Sequence, residues 1–176
     1  MSRTFAEAAL AASIALAVAG CSPAPRAAAE APAGPHVAAD NDVAAGRYLI
    51  VLGGCNDCHT PGWAQTGGKV PESQWLTGIP VGRRGPWGTT YAQNLRVIPT
   101  KMSEDAFVTM LRTRKALPPM PWMNVNALQE GDARAIYRYL KSLGPTGGSM
   151  PATVPPGKEP TTPYFVMDPP TPPSVR

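Results

Sequence analysis

The sequence of 176 residues predicts an all-α domain, with three to five helices joined by long loops. Three observations carry that expectation. Three segments pair helix-starting residues with apolar side chains at helical spacing, beginning near Asp42, Ser103 and Glu130. Between the first two, residues 60–101 hold Gly and Pro at high frequency, three of the four tryptophans and no sustained period. The run Cys55-Asn56-Asp57-Cys58-His59 places two thiols three positions apart, with an imidazole directly after them.

Residues 1–20 read as an export signal. Arg3 stands near the front, and the apolar run over 8–19 is too short to span a bilayer. The run ends in Val18-Ala19-Gly20-Cys21, which resembles the lipobox of bacterial lipoproteins, where the cysteine becomes the lipidated N-terminus. A plain secretory signal with an incidental Cys21 is the alternative, and both export the chain. Residues 21–39 are dominated by Ala and Pro without apolar periodicity, so they are expected to act as a tether. If polyproline-like, that tether reaches roughly 55 Å at about 3.1 Å per residue.

The first helix, about 43–52 behind an Asp42 cap, aligns Val43, Gly46, Leu49 and Ile50 and feeds the cysteine motif. The two thiols of that motif can add to the vinyl groups of a haem as thioethers, which holds His59 where a ring nitrogen can bind the iron. Other readings need more than the chain offers. A thioredoxin-like pair needs a strand before it and a βαβ frame; a closed zinc site needs a fourth ligand, and the second histidine, His36, lies in the Pro/Ala-rich stretch. One copy of the motif predicts one haem. With Cys21 acylated and Cys55 and Cys58 on the haem, none of the three cysteines remains for a disulfide. The long unperiodic stretch then has an apolar surface to wrap, with Trp63, Trp75 and Trp87 expected in the haem wall or core.

The second helix starts at Ser103 with Glu104 and Asp105 in its first turn, and is expected to bury Phe107, Met110 and Leu111. After it comes Leu117-Pro118-Pro119-Met120-Pro121-Trp122. Proline fixes φ and offers no amide hydrogen, so this loop is stiff and can present the Met120 sulfur as the sixth iron ligand. Met123 competes for that role, Met102 and Met110 sit at or inside a helix, and an iron open on that side is the remaining option. A thioether is soft and neutral, which favours ferrous iron and raises the potential relative to two nitrogen ligands. The third helix covers about 130–143, with Ile136, Tyr139, Leu140 and Leu143 at helical spacing and Gly144-Pro145 as its stop. Residues 40–145 thus form the expected domain, and 146–176 read as a Pro-rich tail, surface-hugging or disordered.

Four stretches carry a family resemblance: Gly54-Cys55-x-x-Cys58-His59-Thr60-Pro61, Gly88-x-x-Tyr91-Ala92-x-Asn94, Met120-Pro121-Trp122, and Asp132-x-x-Ala135-Ile136-Tyr137-x-Tyr139-Leu140. Over 40–145 the chain resembles a class I cytochrome c, similar to the haem modules in cytochrome subunits of bacterial periplasmic alcohol, aldehyde and related dehydrogenases. The resemblance implies a class I cytochrome c fold, thioethers at Cys55 and Cys58, and axial coordination by His59 and Met120. It also implies that the Pro61 carbonyl orients the His59 ring and that the first and last helices cross closely, Gly46 lying against Tyr139 or its neighbours. Two departures stand out. Where the module commonly has Asn-Ile-Thr-Pro, this chain has Asn94-Leu95-Arg96-Val97-Ile98-Pro99, which leaves the propionate contacts open. Such subunits also repeat the module, and this chain does not.

Formal net charge is +4. Arg83-Arg84, Arg112, Arg114 and Lys115 would steer an acidic partner, or simply form solvated surface and complement a helix end. The basic residues form no nucleic-acid reader motif. The expected function is that of an exported, lipid-anchored monohaem cytochrome on the periplasmic side of a bacterial membrane. It would carry single electrons from a periplasmic dehydrogenase to a cytochrome or terminal oxidase, without bond chemistry of its own. A peroxidase or gas sensor with a displaceable sixth ligand, and an assembly or scaffold lipoprotein using the Pro-rich tail, are the alternatives.

Overall fold

A computed structural model describes residues 34 and 36–168. The expected export signal, Cys21, most of the expected tether and residues 169–176 lie outside them.

The three expected helices form. α1 (Asp42–Leu52) is capped by Asn41, whose side chain accepts from the Ala44 amide; Asp42 is the first helical residue rather than the cap. The motif itself is a short helix, α2 (Cys55–His59), and α3 (Ile98–Lys101) is a single turn. Ser103 caps α4 (Glu104–Thr113) by accepting from the Ala106 amide. After α5 (Trp122–Asn126) comes α6 (Glu130–Leu143), which stops at Gly144 with φ +72°.

The chain is nevertheless not all-α, because a three-stranded mixed sheet accompanies the six helices among the described residues. β1 (Ile79–Gly85) and β2 (Gly88–Ala92) form an antiparallel hairpin inside the stretch expected as loop. β3 (Tyr164–Val166) comes from the expected tail and runs parallel to β1, giving the order β2-β1-β3. Packing explains why β1 lacks the alternation of an ordinary strand. A Cβ on Gly82 would collide with Thr89 Cγ2 and lie 3.2 Å from Tyr164 Cβ, so the position tolerates no side chain. Pro80, Gly82 and Gly85 therefore interrupt the apolar pattern at positions where the sheet needs them small or bent.

The described part of the tail belongs to the fold. Val154 bridges Thr89, Tyr91 Oη and Thr162 Oγ1 share a 2.8 Å hydrogen bond, and Arg84 Nη1 donates to Glu159 (2.5 Å) and Tyr164 Oη (2.9 Å). Asn94 Nδ2 donates to the Thr146 and Gly148 carbonyls. On the N-terminal side, the Val37 amide donates to the buried Asp132 carboxylate.

Ile50 from α1, Phe107, Val108 and Leu111 from α4, and Ile136, Tyr139 and Leu140 from α6 form the core with Trp75 and Leu76. Burying each large side chain contributes about 1.5–3 kcal/mol. Gly46 meets the Ala135 carbonyl and Tyr139 where α1 crosses α6, as the sequence reading expected. Arg96, at the departure from Asn-Ile-Thr-Pro, is buried and donates to the carbonyls of Ser73, Trp75, Leu143 and Gly144. It thereby satisfies backbone acceptors at the end of α6 and ties that end to the loop before β1. Arg134 and Arg138 of α6 pair with Glu104 of α4, and Arg138 also with Asp42 of α1.

Candidate haem site

Gly54, at φ +64°, turns the chain from α1 into α2; an added Cβ there would lie 3.0 Å from Asp57 Oδ2. Within α2, the i,i+3 spacing sets the half-buried Cys55 and Cys58 on one side of the helix. Burial pushes the Cys55 thiol up to about 11. At neutral pH that sulfur is a thiol, unlike the low-pKa thiolate on which dithiol exchange depends.

His59 is 7% exposed, with Nδ1 2.6 Å from the Gln93 carbonyl oxygen. A carbonyl only accepts, so Nδ1 carries the proton and Nε2 keeps its lone pair, the tautomer a metal ligand needs. The acceptor is Gln93, not Pro61, because the chain after β2 rather than the residue after the motif passes the ring. Burial holds the His59 pKa below its ordinary value; the Gln93 bond opposes that and the Arg83 charge adds to it, leaving the ring neutral.

Side chains and backbone fix the motif from below. Thr60 Oγ1 donates to the buried Asn56 Oδ1 at 2.6 Å and accepts from the Leu76 amide at 2.8 Å. The His59 carbonyl accepts from the Gly78 amide at 2.8 Å. The segment entering β1 is thus pinned to the motif.

Met120 is half-buried in the loop between α4 and α5, whereas Met123, one residue into α5, is 81% exposed. Met102 and Met110 pack against the core, as expected. Thr90 Oγ1 donates to the Pro118 carbonyl at 2.7 Å, and the Arg114 guanidinium sits 5.0 Å over the Trp122 ring. Thr90 on β2 therefore holds the methionine loop and Gln93 holds the histidine, anchors three residues apart, or about 10 Å of extended chain.

Four buried polar atoms among the described residues have no hydrogen-bond partner: Asn56 Nδ2, Arg83 Nη1, Trp87 Nε1 and Thr89 Oγ1. Leaving such a group unpaired costs about 1–3 kcal/mol. A haem, which brings two carboxylates, fits a donor set of this kind. The remaining chemistry fits as well: paired thiols, a neutral imidazole with a free Nε2 and a thioether in a stiff loop. Trp63 and Trp75 pack edge to face at 5.1 Å, and Trp75 Nε1 donates to the Val70 carbonyl, so this pair serves the core. Among the described residues no three His, Cys, Asp or Glu side chains group to hold a metal ion, an arrangement haem iron does not require. No helix among them is long and apolar enough to cross a membrane.

Of the cations expected to steer a partner, Arg84 is paired with Glu159, Arg112 lies 3.6 Å from Glu130 and Arg114 covers Trp122; Lys115 is exposed. Gln93, Thr90 and Thr60 are the site residues that sequence reasoning did not assign. Gln93 acts through its main-chain carbonyl and leaves no side-chain signature, while Thr90 and Thr60 act through hydroxyls whose partners lie far along the chain. Comparisons with protein-family models, curated proteins and solved structures found no match to this chain.

Proposed function

We propose that this chain is a monohaem c-type cytochrome, a one-electron carrier that binds haem c through Cys55 and Cys58 and its iron through His59 and Met120. The observation that carries the reading is the His59 ring beside the thiol pair. It is buried and neutral, and its Nδ1–H is committed to Gln93, so Nε2 alone is free to ligate. When bound, haem supplies the one-electron couple. The chain's own part is to hold position: Gln93 fixes the imidazole plane, Thr90 fixes the loop that offers the thioether, and the core behind them excludes water. Ligands that stay put through both oxidation states keep reorganisation small.

Export, lipidation at Cys21 and a periplasmic location complete the proposal, resting on residues 1–21 of the sequence. A periplasmic dehydrogenase is the proposed donor and a cytochrome or terminal oxidase the acceptor. The test is spectroscopic. The oxidised wild-type protein should show the weak sulfur-to-iron charge-transfer band and take up cyanide slowly. Met120→Ala should lose the band and lower the potential. A high-spin wild type, or loss of the band in Met123→Ala instead, would overturn the ligand assignment.

A further inference from the structure

The two edges of the sheet differ. On the β2 side, Thr89 and Val154 exchange backbone hydrogen bonds of 2.8 and 2.9 Å, which closes part of that edge. The other edge is β3. The Gly82 amide donates to the Pro163 carbonyl and the Met167 amide to the Arg84 carbonyl, so the odd-numbered residues of β3 turn their backbone toward β1. A strand alternates. The amides and carbonyls of Tyr164 and Val166 therefore point to the open side, where they have no backbone partner among the described residues. Phe165, Val166 and Met167 are exposed around them. Such an edge is ordinarily blunted by charge or by proline. Here residues 161–167 carry no charge, and the missing amide of Pro163 falls on the β1 side, so the open edge stays intact.

We propose that β3 pairs with β3 of a second copy of this chain, antiparallel about a two-fold axis at Phe165, which joins the two three-stranded sheets into one. In that register Tyr164 and Val166 exchange hydrogen bonds with Val166 and Tyr164 of the second copy, so every open amide and carbonyl of β3 is used. Phe165 faces its own counterpart at the axis as a cross-strand aromatic pair. Charge agrees with self-pairing, because Asp168 falls opposite Thr162 of the second copy rather than opposite another carboxylate. The chain's own end cannot take this place: four of residues 169–176 are prolines, which leaves no alternating row of donors. The pairing involves none of the residues proposed to hold haem and stands or falls apart from that reading.

The test is sedimentation equilibrium of the full chain carrying Cys21→Ser, which removes the proposed acylation site, across about 1–200 μM. The mass should move from one chain toward two as concentration rises, and hydrogen exchange of the Tyr164 and Val166 amides should slow with it. Val166→Pro in the same background removes one outward donor and leaves every bond to β1 in place. It should raise the dimer dissociation constant by at least about tenfold. Should Val166→Pro fail to fold, Phe165→Lys replaces an exposed side chain and sets like charges face to face, with the same expected loss. A parent chain that stays monomeric throughout overturns the proposal. So does one whose Val166 amide slows only when a different protein is added, which gives the edge to that partner. Dimers that survive unchanged in every variant that folds overturn it as well, since their contact lies elsewhere.

Discussion

Replacing Gly46 with alanine probes the crossing of α1 and α6 with a single added methyl group. Ordinarily that change in a helix stabilises, because alanine is favoured over glycine by about 0.5–1 kcal/mol. Here the new Cβ would lie 2.6 Å from the Ala135 carbonyl carbon, 2.7 Å from Tyr139 Cβ and closer still to the Ala135 oxygen. Carbon atoms pack at about 3.5–4.0 Å, so the helices must part by roughly an ångström, and the obstructing atoms are backbone that cannot swing aside. Overpacking of this kind costs about 1–3 kcal/mol, and a backbone clash belongs at the upper end. Subtracting the helix-propensity gain leaves a net loss of about 2 kcal/mol. On the holoprotein that corresponds to a urea midpoint lower by about 1 M, or a Tm lower by roughly 8 °C. Gly131→Ala is the internal control: it lies in the first turn of α6, exposed, with nothing within 4 Å of its Cβ position. It should leave stability unchanged or raise it by up to about 1 kcal/mol. A Gly46→Ala protein as stable as wild type, or more so, would refute the close crossing.

Other perturbations test separate parts of the fold. Arg96→Met removes a buried guanidinium from four carbonyls and should cost about 3 kcal/mol in denaturant titration; Arg96→Lys, unable to reach all four, should recover little. Arg138, followed by Arg134, holds Glu104 below its ordinary carboxylate value against a smaller opposing effect of burial. Its folded pKa is depressed, so its contribution is present above the unfolded value near 4.5 and is lost as pH falls through the folded one. Glu104→Gln should therefore lower Tm at pH 7, and the gap to wild type should close on acidification below about pH 4.5. Thr90→Val should cost no more than about 1 kcal/mol in stability yet quicken carbon monoxide binding to the reduced protein, by freeing the loop that carries Met120.

The helices were readable because their ends carry chemistry: Ser103 caps α4 and Gly144 stops α6 where their residue types announce it. The packing of Gly46 against Tyr139 was expected through the family resemblance, with the missing side chain of Gly46 as the local feature that admits it. Strand β1 was not, since Gly82 exists to admit Thr89 and thereby erases the alternation that marks a strand. The tail was unreadable as structure because it docks largely by main-chain pairing and short polar contacts, which a Pro-rich composition conceals. Arg96 looked like a departure from a motif; its partners are carbonyls from two distant segments, and no local pattern encodes them. At the site, the side chains proposed to bond haem or ligate its iron are visible in order along the chain, while the groups that aim them, the Gln93 carbonyl and the Thr90 hydroxyl, are brought in by the hairpin. Arg83 stood out only as part of a basic pair, yet its neighbour Arg84 faces the tail and Arg83 Nη1 is buried without a partner among the described residues.

The most direct test is the intact mass and visible spectrum of the full chain, matured in a bacterium that attaches c-type haem and purified under denaturing conditions. Covalent attachment through Cys55 and Cys58 predicts a red polypeptide heavier by one haem, and a Cys55→Ser, Cys58→Ser double variant without the added mass. A colourless chain carrying no haem mass, from a host that matures other c-type cytochromes normally, would contradict the account.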